Sequence, residues 1–262
     1  MLWSTIVRKQ RTALRVLRER GAAVAGGIAR DQLIQLWHRA PGGLARVEGC
    51  RFRVSDLHDN VRVPLLMNEY EREEREAVKR FLDPSLPVIE LGGSLGVVAC
   101  VVNKRLRHPE RHLVVEADPD IVPKLEANRK LNACKFEILN CALAYDGDEV
   151  VFATSHDTRG GGVYVQGTGH VTVKAVTLDK LARERGFSRF TLVCDIEGSE
   201  VDMVTREKDL LAAAVDTLIL ETHPKVSGVT QTTSMLNDLK SLGFQTLSEN
   251  SGTLVLKNTR RW

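Results

Sequence analysis

The sequence has no apolar run long enough to cross a bilayer. Near its start the longest uncharged apolar stretch is residues 21–29 (GAAVAGGIA), far short of the roughly 20 residues that a transmembrane helix needs. A secretory signal is also absent, because Arg8, Lys9 and Arg11 follow only a very short apolar start. We therefore expect a protein that neither spans a membrane nor is exported.

Cysteine pairs with the spacing of metal or redox sites are absent too. The five cysteines are an odd number and include no C-x-x-C pair, so we expect reduced thiols, mostly buried, in a cytoplasmic protein. Only 8 prolines, with 43% hydrophobic and 27% charged residues, exclude disordered and collagen-like classes. A chain of 262 residues then forms one large domain, or one domain with a smaller extension.

The net charge is only +3, but it is unevenly distributed, since residues 1–53 carry +8 and the remainder carries −5. Apolar residues among the arginines predict a basic, helical N-terminal extension over residues 1–60, ahead of a larger domain over residues 61–262. The extension packs on its own domain or on a second subunit, or residues 1–40 contact an anionic surface. Nucleic-acid binding is not expected, because the arginines lack interleaved aromatic residues.

Short apolar runs alternate with amphipathic helices after Pro87. Continuous apolar strands separated by helices indicate a parallel sheet that is buried on both faces. Five such runs are predicted, at residues 88–91, 112–117, 136–139, 191–196 and 216–222. Two final runs, at 243–247 and 253–257, are joined by a turn too short for a crossover helix, so they must be antiparallel. The prediction is an α/β fold with a Rossmann-like, doubly wound sheet, mostly parallel with a reversed last strand.

The first of these strands runs into the motif E-L-G-G-S-L-G. Its glycines do not have the G-x-G-x-x-G spacing of a dinucleotide fingerprint. The pattern is instead similar to the first motif of S-adenosylmethionine-dependent methyltransferases, whose version of the doubly wound sheet also ends in a reversed strand. The predicted cofactor-binding residues here are Glu90, Gly92, Gly93, Ser94 and Gly96.

The second strand ends in V-V-E-A-D, which places Glu116 and Ala117 at the ligand edge. A carboxylate at this strand end can accept hydrogen bonds from both hydroxyls of a ribose. We therefore predict that Glu116 and Ala117 contact the cofactor.

Ionisable residues follow the fourth and fifth strands. Asp195 and Glu197 come after one strand, and Glu221 and His223 after the next. We predict that His223 is the general base with Glu221 as its supporting carboxylate, while Asp195 and Glu197 position the substrate. Asp195 is the rival base and also a candidate cofactor contact. No residue is assigned as a metal ligand, although these carboxylates could instead hold a divalent cation.

These motifs together resemble the FkbM-type methyltransferases. The matching segments are VIELGGSLG (88–96), VEADP (115–119), TLD (177–179), LVCDIEGSE (192–200) and ETHP (221–224). The resemblance implies a class I methyltransferase that uses S-adenosyl-L-methionine to methylate a hydroxyl of a sugar, glycan or glycosylated natural product. The sequence departs from the family at Gly93, Ser94 and Cys194, and residues 1–60 lie outside the resemblance.

Two other functions stay open. One is a non-catalytic scaffold that kept the fold, and the other is a nicotinamide-dependent oxidoreductase, which the glycine spacing disfavours. The partners expected are a small-molecule or glycan acceptor and a second copy of the chain, with peripheral contact at a membrane face as an option. Residues 150–173 predict an inserted hairpin whose His156, Arg159, Tyr164 and His170 could grip the acceptor.

Overall fold

The computed structural model describes residues 43–154, 163 and 169–260. In chain order the strands are β1 (Leu44–Val47), β2 (Cys50–Arg53), β3 (Val88–Leu91), β4 (His112–Glu116), β5 (Glu137–Asn140), β6 (Ala142–Leu143), β7 (Glu149–Thr154), β8 (Gly169–Val176), β9 (Phe190–Cys194), β10 (Val215–Glu221), β11 (Phe244–Asn250) and β12 (Thr253–Asn258). The helices are α1 (Asp59–Leu66), α2 (Arg72–Phe81), α3 (Val97–Asn103), α4 (Val122–Leu131), α5 (Leu178–Glu184), α6 (Glu200–Arg206), α7 (Lys208–Ala214), α8 (Pro224–Ser227) and α9 (Val229–Ser241). Within the described ranges, no helix is both long and apolar enough to span a membrane.

Seven strands form the central sheet, in the order β11-β12-β10-β9-β3-β4-β5. The five strands β10, β9, β3, β4 and β5 pair in parallel, whereas β12 is antiparallel to both β10 and β11. This arrangement confirms the predicted fold class, a Rossmann-like methyltransferase sheet with a reversed last strand. The seven predicted apolar runs all form strands of this sheet, with ends that differ by a few residues.

The middle strands lie between two layers of helices. Every residue of β3, β4 and β9 is buried, whereas the edge strand β5 has no fully buried residue. This difference explains why β3, β4 and β9 read as continuous apolar runs: both faces of a central parallel strand contact the core.

Part of the predicted extension packs on the sheet domain. Strands β1 and β2 form a hairpin within it, and its Val47 and Phe52 belong to the same apolar cluster as Leu95 and Phe136. The N-terminal helices predicted upstream lie outside the described residues. The boundary at residue 60 stays a prediction.

The inserted hairpin is confirmed in its two strands. β7 and β8 pair antiparallel, and β8 also pairs in parallel with β6, which gives a small three-stranded sheet that the sequence did not predict. His156, Arg159 and Tyr164 lie outside the described residues. His170 is exposed on β8 opposite Ala153 and does not line the cavity described below.

Candidate functional site

A cavity of about 450 Å³ lies at the carboxyl ends of β3, β4, β9 and β10. The strand order changes direction here, because the chain moves outward from β3 to β5 and then returns to β9 on the other side of β3. Ligands of doubly wound sheets bind at such a switch point. The predicted site residues that line the cavity are Gly92, Ser94, Glu116, Ala117, Asp195, Glu197, Glu221 and His223.

The cavity is strongly acidic. Among the residues that the structure describes, nine carboxylate side chains line it, and neither a lysine nor an arginine does. The nine are Glu69, Glu71, Glu73, Glu74, Glu116, Asp118, Asp195, Glu197 and Glu221. His223 is the single basic side chain in this described lining. Such a lining favours cationic or neutral ligands over anionic ones.

Gly92 lies in the cavity wall, where the turn after β3 approaches the end of β9. Its φ is +88°, and a Cβ atom there would stand 1.7 Å from the carbonyl oxygen of Asp195. Only glycine fits this position, because any side chain would overlap the backbone at the end of β9. The sequence analysis assigns Gly92 to the cofactor site, and the structure shows that this glycine also lets the ends of β3 and β9 touch.

The other two glycines of the motif serve packing. A Cβ atom on Gly93 would lie 2.4 Å from Val114 Cγ1, and one on Gly96 would lie 2.5 Å from Leu125 Cδ1. Neither residue lines the cavity. These glycines therefore set how closely the turn after β3 approaches β4 and α4.

Glu90 also lies away from the cavity lining. Its carboxylate is buried, with Oε2 3.3 Å from His112 Nε2. Burial raises the pKa of Glu90, and the neighbouring His112 acts in the opposite direction. The structure therefore places the first acidic residue of the motif in a buried pair inside the fold.

Glu116, at the end of β4, binds the backbone of the turn that follows β3. Its Oε2 accepts a hydrogen bond from the backbone N–H of Ser94 (2.6 Å), and its Oε1 accepts one from the N–H of Asp118 (2.8 Å). Burial raises the pKa of Glu116 to about 7, although these two hydrogen bonds act to lower it. Each carboxylate oxygen has a second lone pair, so Glu116 can still accept from a ribose while it fixes the loop.

The four predicted catalytic residues lie close together. His223 Nε2 is 3.5 Å from Asp195 Oδ1 and 3.5 Å from Glu197 Oε2. The charge of the neighbouring Glu221 acts on Asp195 as well. The ligand atoms of Asp195, Glu197 and His223 all lie within 4.8 Å of one another, which is close enough to hold a metal ion.

Glu200 orients the histidine. His223 Nδ1 lies 3.0 Å from Glu200 Oε1, and this carboxylate also accepts the backbone N–H groups of Ile196 (3.0 Å) and Gly198 (2.9 Å). The sequence analysis names Glu221 as the carboxylate that supports His223, but the hydrogen-bond partner of the imidazole in the structure is Glu200. The side chain of Glu200 is buried at the start of α6, which returns toward the end of β10.

Burial and mutual repulsion disturb the titration of this cluster. Burial, followed by the charges of Glu221 and Glu197, raises the pKa of Asp195 well above its usual range. Burial and the charge of Glu74 raise the pKa of Glu221 to about 7. Burial acts to lower the pKa of His223, but the hydrogen bond and charge of Glu200 outweigh it and raise the value overall. Glu221 therefore titrates near neutral pH, and the pKa values of Asp195 and His223 are raised as well.

The start of α2 contributes residues that the sequence analysis missed. The helix begins at Arg72, so Glu69, Tyr70 and Glu71 form a turn on the cavity wall. The Tyr70 hydroxyl lies 3.1 Å from Ser94 Oγ, which connects this turn to the loop after β3. The only available signal was the dense run E-Y-E-R-E-E-R-E, which is also typical of a solvated helix.

A buried arginine holds that turn in place. Arg75 Nε donates to the carbonyl of Tyr70 (2.9 Å), and the other guanidinium nitrogens donate to the carbonyl (2.9 Å) and side chain (3.0 Å) of Asn68. The same guanidinium lies 3.3 Å from Glu48 in the turn between β1 and β2. Arg75 therefore links the N-terminal hairpin to the cavity wall.

No protein-family model matches this chain, and no curated protein matches it either. Solved structures do match. The ribosomal protein L11 methylase from Lactobacillus delbrueckii subsp. bulgaricus has a TM-score of 0.44 and 12% identity, over 74% of this chain and 80% of that one. A protein in the NADB-Rossmann superfamily from Streptococcus agalactiae has a TM-score of 0.45 and 10% identity, over 72% of this chain and 69% of that one.

A third match is fibrillarin from Aeropyrum pernix, solved with natively bound S-adenosyl-L-methionine. Its TM-score is 0.40 and its identity is 10%, over 70% of this chain and 72% of that one. These likenesses are distant. The fold assignment therefore rests on the strand order of the sheet itself.

Proposed function

We propose that this chain is an S-adenosyl-L-methionine-dependent O-methyltransferase that acts on a hydroxyl of a neutral acceptor. The observation that carries the proposal is the acidic cavity at the switch point of a methyltransferase-type sheet. Glu116 stands on one side of this cavity and the Asp195–His223 cluster stands on the other. A nucleoside site is thus adjacent to groups that can take up a proton.

The charge of the cavity discriminates between cofactors. S-Adenosylmethionine carries a sulfonium cation and no phosphate, so the acidic lining attracts its reactive centre. A nicotinamide dinucleotide carries two phosphate charges, and the described lining offers neither a lysine nor an arginine to neutralise them. The same argument disfavours nucleic-acid and nucleotide acceptors. It therefore supports methyl transfer over the oxidoreductase alternative.

Glu116 and the turn at Gly92 and Ser94 form the cofactor side of the proposed site. Glu116 would hold the ribose hydroxyls of the cofactor, and Ala117 and the backbone of Ser94 would border its nucleoside. Asp195 would lie beside its methionine portion, because Gly92 brings the ends of β3 and β9 into contact. S-Adenosylmethionine would supply the methyl group there, and Glu197, Glu221 and His223 would position the acceptor and take up its proton.

The acceptor hydroxyl is placed at this cluster. As the oxygen–methyl bond forms and the carbon–sulfur bond breaks, the hydroxyl proton must pass to a base. Nε2 of His223 is the candidate, because Nδ1 is already held by Glu200. Asp195 is the rival base. A sugar, glycan or glycosylated natural product fits a neutral, polyhydroxylated acceptor, as the resemblance to FkbM-type methyltransferases suggests.

Calorimetric titration of the purified protein tests the cofactor assignment. We expect S-adenosylhomocysteine to bind with one site per chain and NADH not to bind. Glu116→Ala should weaken S-adenosylhomocysteine binding by about 1–3 kcal/mol, the scale for a hydrogen-bonded charged group. Glu249→Ala, which removes an exposed carboxylate on β11, should leave the affinity unchanged.

Two results would contradict the proposal. NADH binding without S-adenosylhomocysteine binding would favour an oxidoreductase, and binding of neither would favour a scaffold. A screen for transfer of a labelled methyl group to neutral sugars, nucleotide sugars and glycan fragments then tests the acceptor. We expect label in the neutral acceptors and none in the nucleotide sugars.

A further inference from the structure

We propose that Asp195, Glu197 and His223 form a binding site for a divalent transition-metal cation of the Mn²⁺ type. The three side chains come from two neighbouring strand ends and meet in the cavity wall. The existence of this site can be tested without any cofactor or acceptor. Its role toward the acceptor, described below, rests on the proposed function.

The separations within the cluster fit a shared ion better than direct hydrogen bonds. His223 Nε2 is 3.5 Å from both Asp195 Oδ1 and Glu197 Oε2, which is longer than the normal range for a nitrogen–oxygen hydrogen bond. Two ligands that each lie about 2.1 Å from one metal ion, at angles of about 90–110°, stand about 3.0–3.5 Å apart. A cation between the three groups therefore needs only small movements of their side chains.

An unpartnered oxygen points to the same conclusion. Asp195 Oδ1 is buried and has no hydrogen-bond partner within the described part of the chain. A buried polar atom without a partner is destabilising, and such atoms in a native fold call for a ligand or an unusual role. Coordination of a cation supplies the missing partner.

A carboxylate on Nδ1 of His223 orients the imidazole ring, as is typical of metal-ligating histidines. Glu200 Oε1 lies 3.0 Å from Nδ1, which leaves Nε2 directed at the two carboxylates. Metal-ligating histidines almost always donate their other N–H to a carboxylate, a carbonyl or water, and this bond fixes the ring. Glu200 is itself fixed by two backbone N–H groups. It is a positioning residue for the proposed ligand.

The surrounding charge also favours a cation. Nine carboxylates line the cavity, and His223 is the single basic side chain among its described residues. A divalent ion held by two carboxylates and an imidazole offsets part of this repulsion. Carboxylates suit Mg²⁺, Ca²⁺ and Mn²⁺, whereas imidazole suits transition metals such as Fe²⁺ and Zn²⁺, so the mixed set favours a transition-metal ion that also accepts carboxylates, such as Mn²⁺.

Three protein ligands leave coordination positions open toward the cavity. An acceptor that carries neighbouring hydroxyls can occupy these positions, so the ion would fix the orientation of the reacting oxygen. Coordination uses the lone pair on Nε2 of His223 that a general base would need. A metal-bound His223 therefore acts as a ligand and not as the base, and the proton of the acceptor hydroxyl would pass to Glu221, which lines the cavity outside the three ligands.

Manganese binding to the metal-free protein tests the site. The protein is treated with a chelator, dialysed and titrated with MnCl₂, and free Mn²⁺ is followed by electron paramagnetic resonance. We expect one bound Mn²⁺ per chain, and we expect Mg²⁺ to compete only at more than tenfold higher concentration. Asp195→Asn and His223→Gln should each weaken Mn²⁺ binding tenfold or more, and Glu200→Gln should weaken it about 10–100-fold.

A matched control separates coordination from general attraction. Glu73→Gln removes one negative charge from the same cavity but lies outside the cluster, so its Mn²⁺ affinity should change less than threefold. Bound Mn²⁺ should also show nitrogen coupling in the pulsed spectrum of the wild-type protein, and His223→Gln should abolish it. Thermal unfolding of each variant checks that the fold is retained.

The outcomes are distinct from those of the cofactor experiment. Absence of stoichiometric Mn²⁺ binding at millimolar concentration overturns the metal site, and so does equal weakening by Asp195→Asn and Glu73→Gln. Normal S-adenosylhomocysteine binding alongside either result would leave the proposed function standing. Loss of cofactor binding with a normal manganese site would overturn the proposed function alone.

Discussion

The buried carboxylate of Glu116 predicts that the free protein loses stability as the pH rises. The pKa of Glu116 is raised from 4.5 to about 7 in the folded chain because of burial. Between these two values the folded state binds more protons than the unfolded state, so the free energy of unfolding falls with increasing pH. The contribution of Glu116 is complete below its unfolded pKa and is lost as the pH passes through about 7.

The size of the effect follows from the same difference. At about 1.4 kcal/mol per pKa unit, a rise from 4.5 to about 7 corresponds to about 3 kcal/mol. Glu116→Gln removes the titrating group but also places an amide NH₂ against a backbone N–H of Ser94 or Asp118, since both carboxylate oxygens accept such a bond. The variant should therefore be clearly less stable than the wild type in acid and nearly as stable in alkali.

Urea unfolding of both proteins in the absence of cofactor and metal measures this. We expect the stability difference between wild type and Glu116→Gln to shrink by about 3 kcal/mol between pH 4.5 and pH 8. Glu249→Gln, at an exposed position on β11, is the control and should show no such trend. If the stability difference changes by less than about 1 kcal/mol over this range, Glu116 does not have a raised pKa in the folded protein.

Three further perturbations have definite expectations. Gly92→Ala should lower the free energy of unfolding by about 3–5 kcal/mol, because it adds backbone strain to a clash. Gly186 has φ +62° and open space around it, so Gly186→Ala should lower the free energy of unfolding by only about 1–2 kcal/mol. Equal losses in the two variants would contradict the contact between Gly92 and the Asp195 carbonyl. Arg75→Met should lower the free energy of unfolding in urea by about 3 kcal/mol, because it leaves buried carbonyls unpaired. Arg107 is exposed, so Arg107→Met should lower it by less than about 0.5 kcal/mol. Equal losses in the two variants would contradict the hydrogen-bond network around Arg75. Deleting residues 1–40 should leave S-adenosylhomocysteine affinity intact while changing the oligomeric state or the binding to anionic vesicles; lost cofactor binding would move the boundary of the core.

The parallel sheet could be predicted from the sequence, because a strand that is buried on both faces consists of an unbroken run of apolar residues. Strands such as β3 and β9 consist almost wholly of apolar residues, and the short turn before β12 leaves no room for a crossover helix. Helix α1 was missed, since Pro64 lies inside it and its apolar residues show only a weak helical period.

The cavity residues were predictable only where they follow a strand. Asp195, Glu197, Glu221 and His223 converge because parallel strands end at one edge. The contribution from α2 depends on how that helix docks across the sheet, and a run of glutamates does not encode the docking. The partner of the histidine was also misassigned, because the short turn after β9 carries Glu200 back to the imidazole.

The contact between Gly92 and Asp195 limits how this chain can evolve. Position 92 accepts no side chain while the carbonyl of Asp195 occupies its present place. Any lineage that replaced this glycine would have to rebuild the turn after β9 at the same time, and with it the positions of Asp195 and Glu197. Among descendants of this sequence we therefore expect a side chain at position 92 only where the backbone after β9 follows a different path, because the contact is with the carbonyl of Asp195 and not with its side chain.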